Sequence, residues 1–316
     1  MTLQALLLLL RRQRLHFKKT DTHVLTDMRV LLYIKGAKMK QKAANNMHIS
    51  SRDNPKIKQF IKLSSSKKAR RESGLFVLEG ARLCKDAFDM WRQNRLDITA
   101  CFATEKALEK YSDYVDQSWF TQNEQFYTVD EAIALKMSDS QYPQGIFVIV
   151  KMLDNSLLSD KIKPNGKYLI LDDLQDPGNV GTLLRTAEAV GIDAVILCSD
   201  CCELYNPKVL RSAMGSALRL DIMIGDSFAQ TVSVLKSKGI KVYASVIDKD
   251  AVSVTAADYS GGCAVVLGNE GNGMAQDDVN LCSGKITIRM RGNLNSLNVA
   301  TAGSIILWEM CRSDNL

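Results

Sequence analysis

Histidine is nearly absent from this chain: there are three, His16, His23 and His48, and all lie within the first 48 residues. Everything downstream works without imidazole, which argues against Ser-His-Asp triads, His-ligated metals and histidine acid–base chemistry. Long apolar runs are scarce too. The opening "MTLQALLLLLRR" is too short to span a bilayer and lacks the basic n-region and small-residue cleavage site of a secretory signal, so no membrane anchor is expected. A P-loop is excluded by the absence of G-K-[ST] after any glycine-rich turn. Cysteine, by contrast, is plentiful. The eight at 84, 101, 198, 201, 202, 263, 282 and 311 lie mostly in apolar runs such as "AVILC" and "GGCAVVLG", which predicts reduced, buried thiols of a cytoplasmic protein. Cys198 and Cys201 form a C-x-x-C with Cys202 adjacent. A structural zinc site would need a second pair and a thioredoxin-like centre would precede a helix, so neither metal nor redox chemistry is expected there.

The 316 residues, 46% apolar and 24% charged, suit a globular protein of two ordinary domains. Their charge is unevenly divided. Residues 1–73 hold 18 Lys+Arg against 4 Asp+Glu while the whole chain carries only +6, so the remainder is net acidic. A basic front of this kind points to an acidic partner, most often nucleic acid; the alternative is a solvated basic arm without one. Residues 1–48 show no clear periodicity and read as a disordered extension or a start assigned too far upstream, with Met39 or Met47 as candidate starts. Order begins near "MHISSRDNPKIKQF". Residues 51–74 read as a basic helix followed by a Ser-rich cationic loop. Lys56, Lys58, Lys62, Lys67, Lys68, Arg70, Arg71 and Arg82 are candidate contacts to a phosphate backbone, giving affinity without reading sequence.

Alternating strand and helix patterns over 75–150 predict a small α/β domain within residues 49–150. A polar linker follows at 151–167. A second α/β series over 168–316 has short apolar strands separated by helices, as expected for a largely parallel sheet covered on both faces. In such sheets ligands gather at the carboxyl ends of strands, which directs attention to three loops. The first, "DPGNVGTLLRTAEAVG", turns at Pro177–Gly178, offers Asn179 as a cap for a helix over 180–190, and sets Arg185 away from the core face. The second, "LGNEGNGM", surrounds Glu270 with glycines in a G-x-x-G-x-G spacing that differs from the dinucleotide fingerprint. The third, "RGNLNSLNVATAGSIILWE", crowds Asn293, Asn295, Ser296 and Asn298 ahead of an apolar helix, more polar groups than one N-cap requires.

With these motifs, residues 168–311 resemble the catalytic domain of the SpoU/TrmH RNA ribose 2′-O-methyltransferases of the SPOUT superfamily, and residues 75–150, beginning "FVLEGARLCKDA", resemble the substrate-binding domain that often precedes it. Residues 1–48 have no counterpart in that resemblance. It implies methyl transfer from S-adenosylmethionine to a ribose 2′-hydroxyl in structured RNA, with ribosomal RNA favoured over transfer RNA. It also implies a C-terminal trefoil knot, an exception to unknotted topology, and a homodimer formed through the knotted region. Carried over by motif, Asn179, Arg185, Glu270, Ser296 and Asn298 fall at active-site positions and Gly268, Ile288 and Leu297 at cofactor contacts. Arg289 stands where the family commonly has proline. A guanidinium is a poor proton acceptor, so Arg185 is expected to stabilise a developing alkoxide or grip a phosphate. Glu270 is open to two roles, proton acceptor or brace of its glycine loop, and Arg211 reads as an RNA or dimer contact. The competing readings are a non-catalytic RNA-binding assembly factor, which the full set of polar positions argues against, and an NAD-dependent enzyme, which the glycine spacing argues against.

Overall fold

The computed structural model describes residues 47–312 apart from 117–118, 120–124, 158, 199–200 and 293. The expected disordered extension lies outside the described residues up to 46, and so does Asn293.

The first lobe is a five-stranded mixed sheet of order β1-β4-β3-β5-β2, built from β1 (Met47–Ile49), β2 (Leu75–Glu79), β3 (Ile98–Ala103), β4 (Phe126–Val129) and β5 (Ile146–Lys151). Because side chains alternate along a strand, each face of this sheet supports its own core. Val77, Phe102, Phe147 and Ile149 meet Ile57, Phe60 and Leu63 of α1 (Pro55–Ser65) and Ile133 of α5 (Glu131–Met137). Phe76, Leu78, Cys101 and Val148 meet Cys84, Ala87 and Phe88 of α3 (Ala81–Arg92) on the opposite face, and α4 (Glu105–Lys110) completes the lobe.

The expected Ser-rich loop is largely a second helix, α2 (Lys67–Ser73). Ser66 caps it by accepting from the Ala69 amide, and Gly74 ends it at φ 65, so residues that read as loop serve as start and stop signals. One expected phosphate contact is corrected here. Arg70 is 3% exposed, its guanidinium bound to both carboxylate oxygens of Glu203 and to the Leu63 and Ser64 carbonyls. With four of its five N–H donors committed and the side chain buried, Arg70 is not available as a phosphate contact.

The second lobe is a seven-stranded sheet of order β10-β12-β9-β11-β6-β7-β8, and every pairing in it is parallel. Its strands are β6 (Lys167–Asp172), β7 (Ala194–Cys198), β8 (Ile222–Ile224), β9 (Lys241–Ser245), β10 (Val252–Ser253), β11 (Cys263–Leu267) and β12 (Gly284–Thr287). One face is covered by α6 (Pro177–Val190), α7 (Pro207–Ala213), α8 (Ser216–Arg219) and α11 (Val299–Cys311), the other by α9 (Phe228–Ser237), with α10 (Gln276–Leu281) before β12. The short β8, β10 and α10 were not legible in the sequence, and α7 ends where Met214 and Gly215 take positive φ.

A continuous core joins the lobes: Phe76 packs on Tyr205 with ring centroids 4.3 Å apart, and the Tyr205 hydroxyl accepts from the Leu153 amide of the linker. Arg219 bridges Asp86 and Glu188. Arg211, read from sequence as an RNA or dimer contact, lies 3.7 Å from Glu79 and 3.4 Å from Asp139 of the first lobe, so it belongs to this seam.

Candidate active site

The carboxyl edge of the parallel sheet gathers the expected loops. β6 and β11 are neighbours in register, Leu171 beside Leu267, so the segments leaving them stay together. Asp173, in the left-handed region at φ 57, turns the chain, and the Asn269 side-chain amide donates to its carbonyl (3.0 Å) and its carboxylate (3.1 Å). Asn269 Oδ1 in turn accepts from the Gly271 and Asn272 amides, closing the glycine loop. Gly268 is required by packing: a Cβ there would sit 2.5 Å from Met274 Cγ and 2.8 Å from the Gly273 carbonyl carbon.

Glu270 points from this loop to the start of α6. One carboxylate oxygen accepts from the Asp176 amide (3.0 Å) and Asn179 Nδ2 (3.1 Å), the other from the Gln175 amide (3.1 Å). Partial burial pushes its pKa up, but the hydrogen bonds from Asn179, Gln175 and Asp176 outweigh it, and the carboxyl is held below its ordinary value. A carboxylate with both oxygens engaged is a brace. Of the two roles the sequence left open, the geometry supports this one.

Asp176, not Asn179, caps α6, accepting from the Asn179 amide at 2.8 Å with Pro177 at the first helical position. The helix therefore starts before 180, and Asn179 is left inside the first turn with its side chain available. That side chain donates to Glu270 and accepts from Asn298 Nδ2 (3.0 Å). Asn298 is a true N-cap, its oxygen accepting from the Ala300 (2.9 Å) and Thr301 (3.2 Å) amides, while its amide nitrogen reaches across to Asn179. Asn298, Asn179 and Glu270 thus link the three loops by hydrogen bonds.

Ser296 is exposed and Leu297 half-buried immediately before this cap. Gly268 and Ile288 leave β11 and β12 at the same edge, with only β9 between them, so their strands run about 10 Å apart. Between those exits lies Ile247, 72% exposed just past β9, an apolar side chain that the sequence reading did not single out. Arg185 is not brought into the cluster. It is exposed on α6, about 9 Å along the axis and about 120° around it from Asn179, and pairs with no acidic side chain among the described residues. One cavity, lined by Met90, Arg95, Tyr168, Asp193 and Asp221 among others, opens at the opposite edge, near the amino ends of β6 and β7, and contains none of the expected site residues.

Of the expected phosphate contacts, Lys58 pairs with Asp53 (2.9 Å), Lys68 lies 3.7 Å from Glu72, and Lys56 bonds Gln125 and lies 5.9 Å from the centroid of the Tyr127 ring. Lys62, Lys67, Arg71 and Arg82 are exposed. All eight cysteines are free, six of them buried. Burial pushes Cys198 and Cys201 up to about 12, and Cys201 Sγ donates to the Leu171 carbonyl and accepts from the Leu174 amide, a structural use of the C-x-x-C.

A parallel α/β sheet with polar loops stitched together at its carboxyl edge places a candidate ligand site at that edge. The SpoU rRNA Methylase family profile matches residues 166–308, and an MRM3-like substrate binding domain profile matches residues 54–148. The chain belongs to the SpoU rRNA methylase family and is an S-adenosylmethionine-dependent RNA methyltransferase. It is 31% identical to an uncharacterized tRNA/rRNA methyltransferase of Synechocystis, over 84% of this chain and 93% of that protein. It is 29% identical to the 23S rRNA (guanosine(2553)-2'-O)-methyltransferase RlmP of Bacillus subtilis, over 83% and 98%. The AdoMet-bound rRNA methyltransferase of Sinorhizobium meliloti superposes with a TM-score of 0.73 at 25% identity, covering 84% of this chain and 97% of that one.

Proposed function

We propose that this enzyme methylates a ribose 2′-hydroxyl of large-subunit ribosomal RNA, ribosomal RNA being preferred to transfer RNA. The observation that carries the reading is the Asn298–Asn179–Glu270 network, which ties the loops after β6, β11 and β12 into one polar surface. The names of the RlmP and RlmB relatives, 23S rRNA methyltransferases, support the choice of RNA.

S-adenosylmethionine, when bound, supplies a methyl group on a sulfonium, an electrophile whose departure needs no acid. Backbone at Gly268, Ile288 and Leu297 would hold it. The carboxylates of Asp173, Asp176 and Glu270 around the same loops suit a cationic ligand. Asn179, Asn298 and Ser296 orient the ribose, and alignment of this kind is worth roughly 7–11 kcal/mol. Arg185 stabilises charge on the attacking oxygen or holds the neighbouring phosphate.

Arg185 stands apart from its own chain's cluster, and α11 exposes Ile305 (41%) and Trp308 (54%), with Leu294 (69%) just before it. These features support a homodimer across α6 and α11, with Arg185 completing the partner's site, and a C-terminal trefoil knot belongs to the same proposal. The eight thiols suit a cytoplasmic enzyme. Among the described residues no helix is long and apolar enough to cross a membrane, and no His/Cys/Asp/Glu group could hold a metal ion. Calorimetric titration with S-adenosylmethionine tests the reading. Micromolar binding retained in Arg185→Ala, together with loss of methyl transfer, is the expected result; no binding to the wild type would favour a non-catalytic RNA binder.

A further inference from the structure

Residues 138–145, "SDSQYPQG", join α5 to β5 in the first lobe and are fastened at both ends. The Ser138 hydroxyl donates to Glu79 at the end of β2, Asp139 lies 3.4 Å from Arg211 of α7, and Gln144 Oε1 accepts from the Ala81 amide at the start of α3 (2.7 Å). Gly145 closes the arch at φ 72, where a Cβ would meet Thr104 Oγ1 at 2.8 Å. At its tip Tyr142 is 88% exposed, more than any other large apolar or aromatic side chain among the described residues. The Ser140 hydroxyl accepts from the Tyr142 amide (3.2 Å), and Pro143 disfavours helical backbone at the tyrosine, so the ring is presented on a short, restrained loop.

The tether at Asp139 fixes where this arch lies. Arg211 is followed on α7 by Ser212, whose hydroxyl donates to the Pro177 carbonyl (3.0 Å), and α6 packs so closely there that a Cβ at Gly181 would overlap Ser212 Oγ. Asn179 belongs to that same first turn of α6 and bonds Glu270 and Asn298. Only α7 therefore separates the arch from the candidate active site. Tyr114 is differently placed: it is 40% exposed, packs edge-on against Tyr111, and lies two residues before Asp116, which pairs with Arg92. Arg92 ends α3 and Ala81 begins it, so the two tyrosines mark opposite ends of that helix, about 16 Å apart along its axis. The one charged residue of the arch, Asp139, is met by Arg211, which leaves Tyr142 among neutral polar side chains. Such a tip suits a base, not a phosphate.

We propose that Tyr142 stacks on an unpaired base of the RNA a few nucleotides from the methylated ribose. This rests on the proposed reaction. A phenol ring on a fastened loop offers a flat apolar face, and every base has a matching one, so the contact needs no sequence code. A base presents that face to a side chain only where it is unstacked, which makes the substrate a loop, bulge or single strand at this position. The ring touches none of the reacting atoms. Its contribution is equal before and during methyl transfer, so it acts on RNA affinity and leaves the maximal rate alone.

The test measures single-turnover methyl transfer to unmodified large-subunit ribosomal RNA, across RNA and salt concentrations, for wild type, Tyr142→Ala, Tyr142→Phe and Tyr114→Ala. Cofactor affinity and melting temperature are measured on each. Tyr142→Ala should raise the RNA concentration giving half-maximal rate by about tenfold and keep the maximal rate within about twofold, with cofactor affinity and melting temperature unchanged. Its dependence on salt should keep the wild-type slope, because no ion pair to phosphate is lost. Tyr142→Phe retains the ring and Tyr114→Ala lies away from the arch, so both should stay within about twofold of wild type. A half-maximal concentration within about twofold of wild type in Tyr142→Ala, or an equal rise in Tyr142→Phe or Tyr114→Ala, would overturn this inference alone. A wild type that transfers no methyl group to ribosomal RNA would overturn the proposed function, and this inference with it.

Discussion

At the scale of single residues, Asn298 explains why capping and site-building looked like rivals in the sequence. One amide does both, its oxygen closing the first turn of α11 and its nitrogen reaching Asn179. Asn179 was misread as a cap because Asn and Asp are nearly equivalent there and only three-dimensional structure shows which one the Asp-Pro-Gly-Asn turn uses. The role of Glu270 was not legible either, since its partners Gln175 and Asp176 are backbone amides almost a hundred positions away in sequence. The folded-state pKa of Glu270 is lowered, so its bracing is fully present above the ordinary value of 4.5 and is lost as pH falls through the lower folded value. Glu270 should accordingly contribute no pH dependence to cofactor affinity above pH 4.5, measured by calorimetry, and no limb near neutrality in the pH–rate profile. Glu270→Gln replaces an acceptor oxygen with a donor facing backbone amides. It should weaken cofactor binding together with turnover, whereas a pure loss of turnover at unchanged cofactor affinity would restore the proton-acceptor role. Thiols raised to about 12 and buried, as at Cys198 and Cys201, should resist alkylation in the native protein at pH 8, followed by mass spectrometry, and react only on unfolding.

At the scale of elements, most strands and long helices followed from alternation and three-to-four spacing. β6, β7 and β11 are buried throughout, as near-continuous apolar runs in a parallel sheet should be. What pattern could not show is where elements are short or charged. α2 reads "KKARRES", with no apolar stripe, and is helical because Ser66 and Gly74 cap it and Arg70 is drawn into the seam. The placement of α11 depends on Gly303, where a Cβ would come within 2.4 Å of Leu183 Cδ2 and 2.5 Å of Leu267 Cδ1. Gly303→Val should destabilise the protein by about 1–3 kcal/mol in denaturant titration and, by lifting α11 from α6, weaken the Asn298–Asn179 contact and methyl transfer with it. A variant of unchanged stability would show that the helix has room to move.

For the whole molecule, nothing in the sequence shows that the two lobes share a core. Arg70 and Arg211 read from sequence as RNA or dimer contacts, and both, with Arg219, pair with acidic side chains across or beside the seam. Pairing between segments 72 to 133 residues apart leaves no local signature. Arg70→Ala, which strands Glu203 in a buried position, should cost about 3–5 kcal/mol by equilibrium unfolding. Trp308→Arg combined with Ile305→Lys should give monomers in sedimentation and abolish transfer with the fold retained; a wild type already monomeric would remove the dimer from the proposal. The most direct test of the central claim is to incubate the purified enzyme with S-adenosylmethionine labelled at the methyl group and unmodified large-subunit ribosomal RNA, then map the product by alkaline hydrolysis. The account predicts label at a phosphodiester made resistant to alkali, because the methylated 2′-oxygen can no longer attack it, and no label with Arg185→Ala. Label on a base, or none with the wild type, would contradict it.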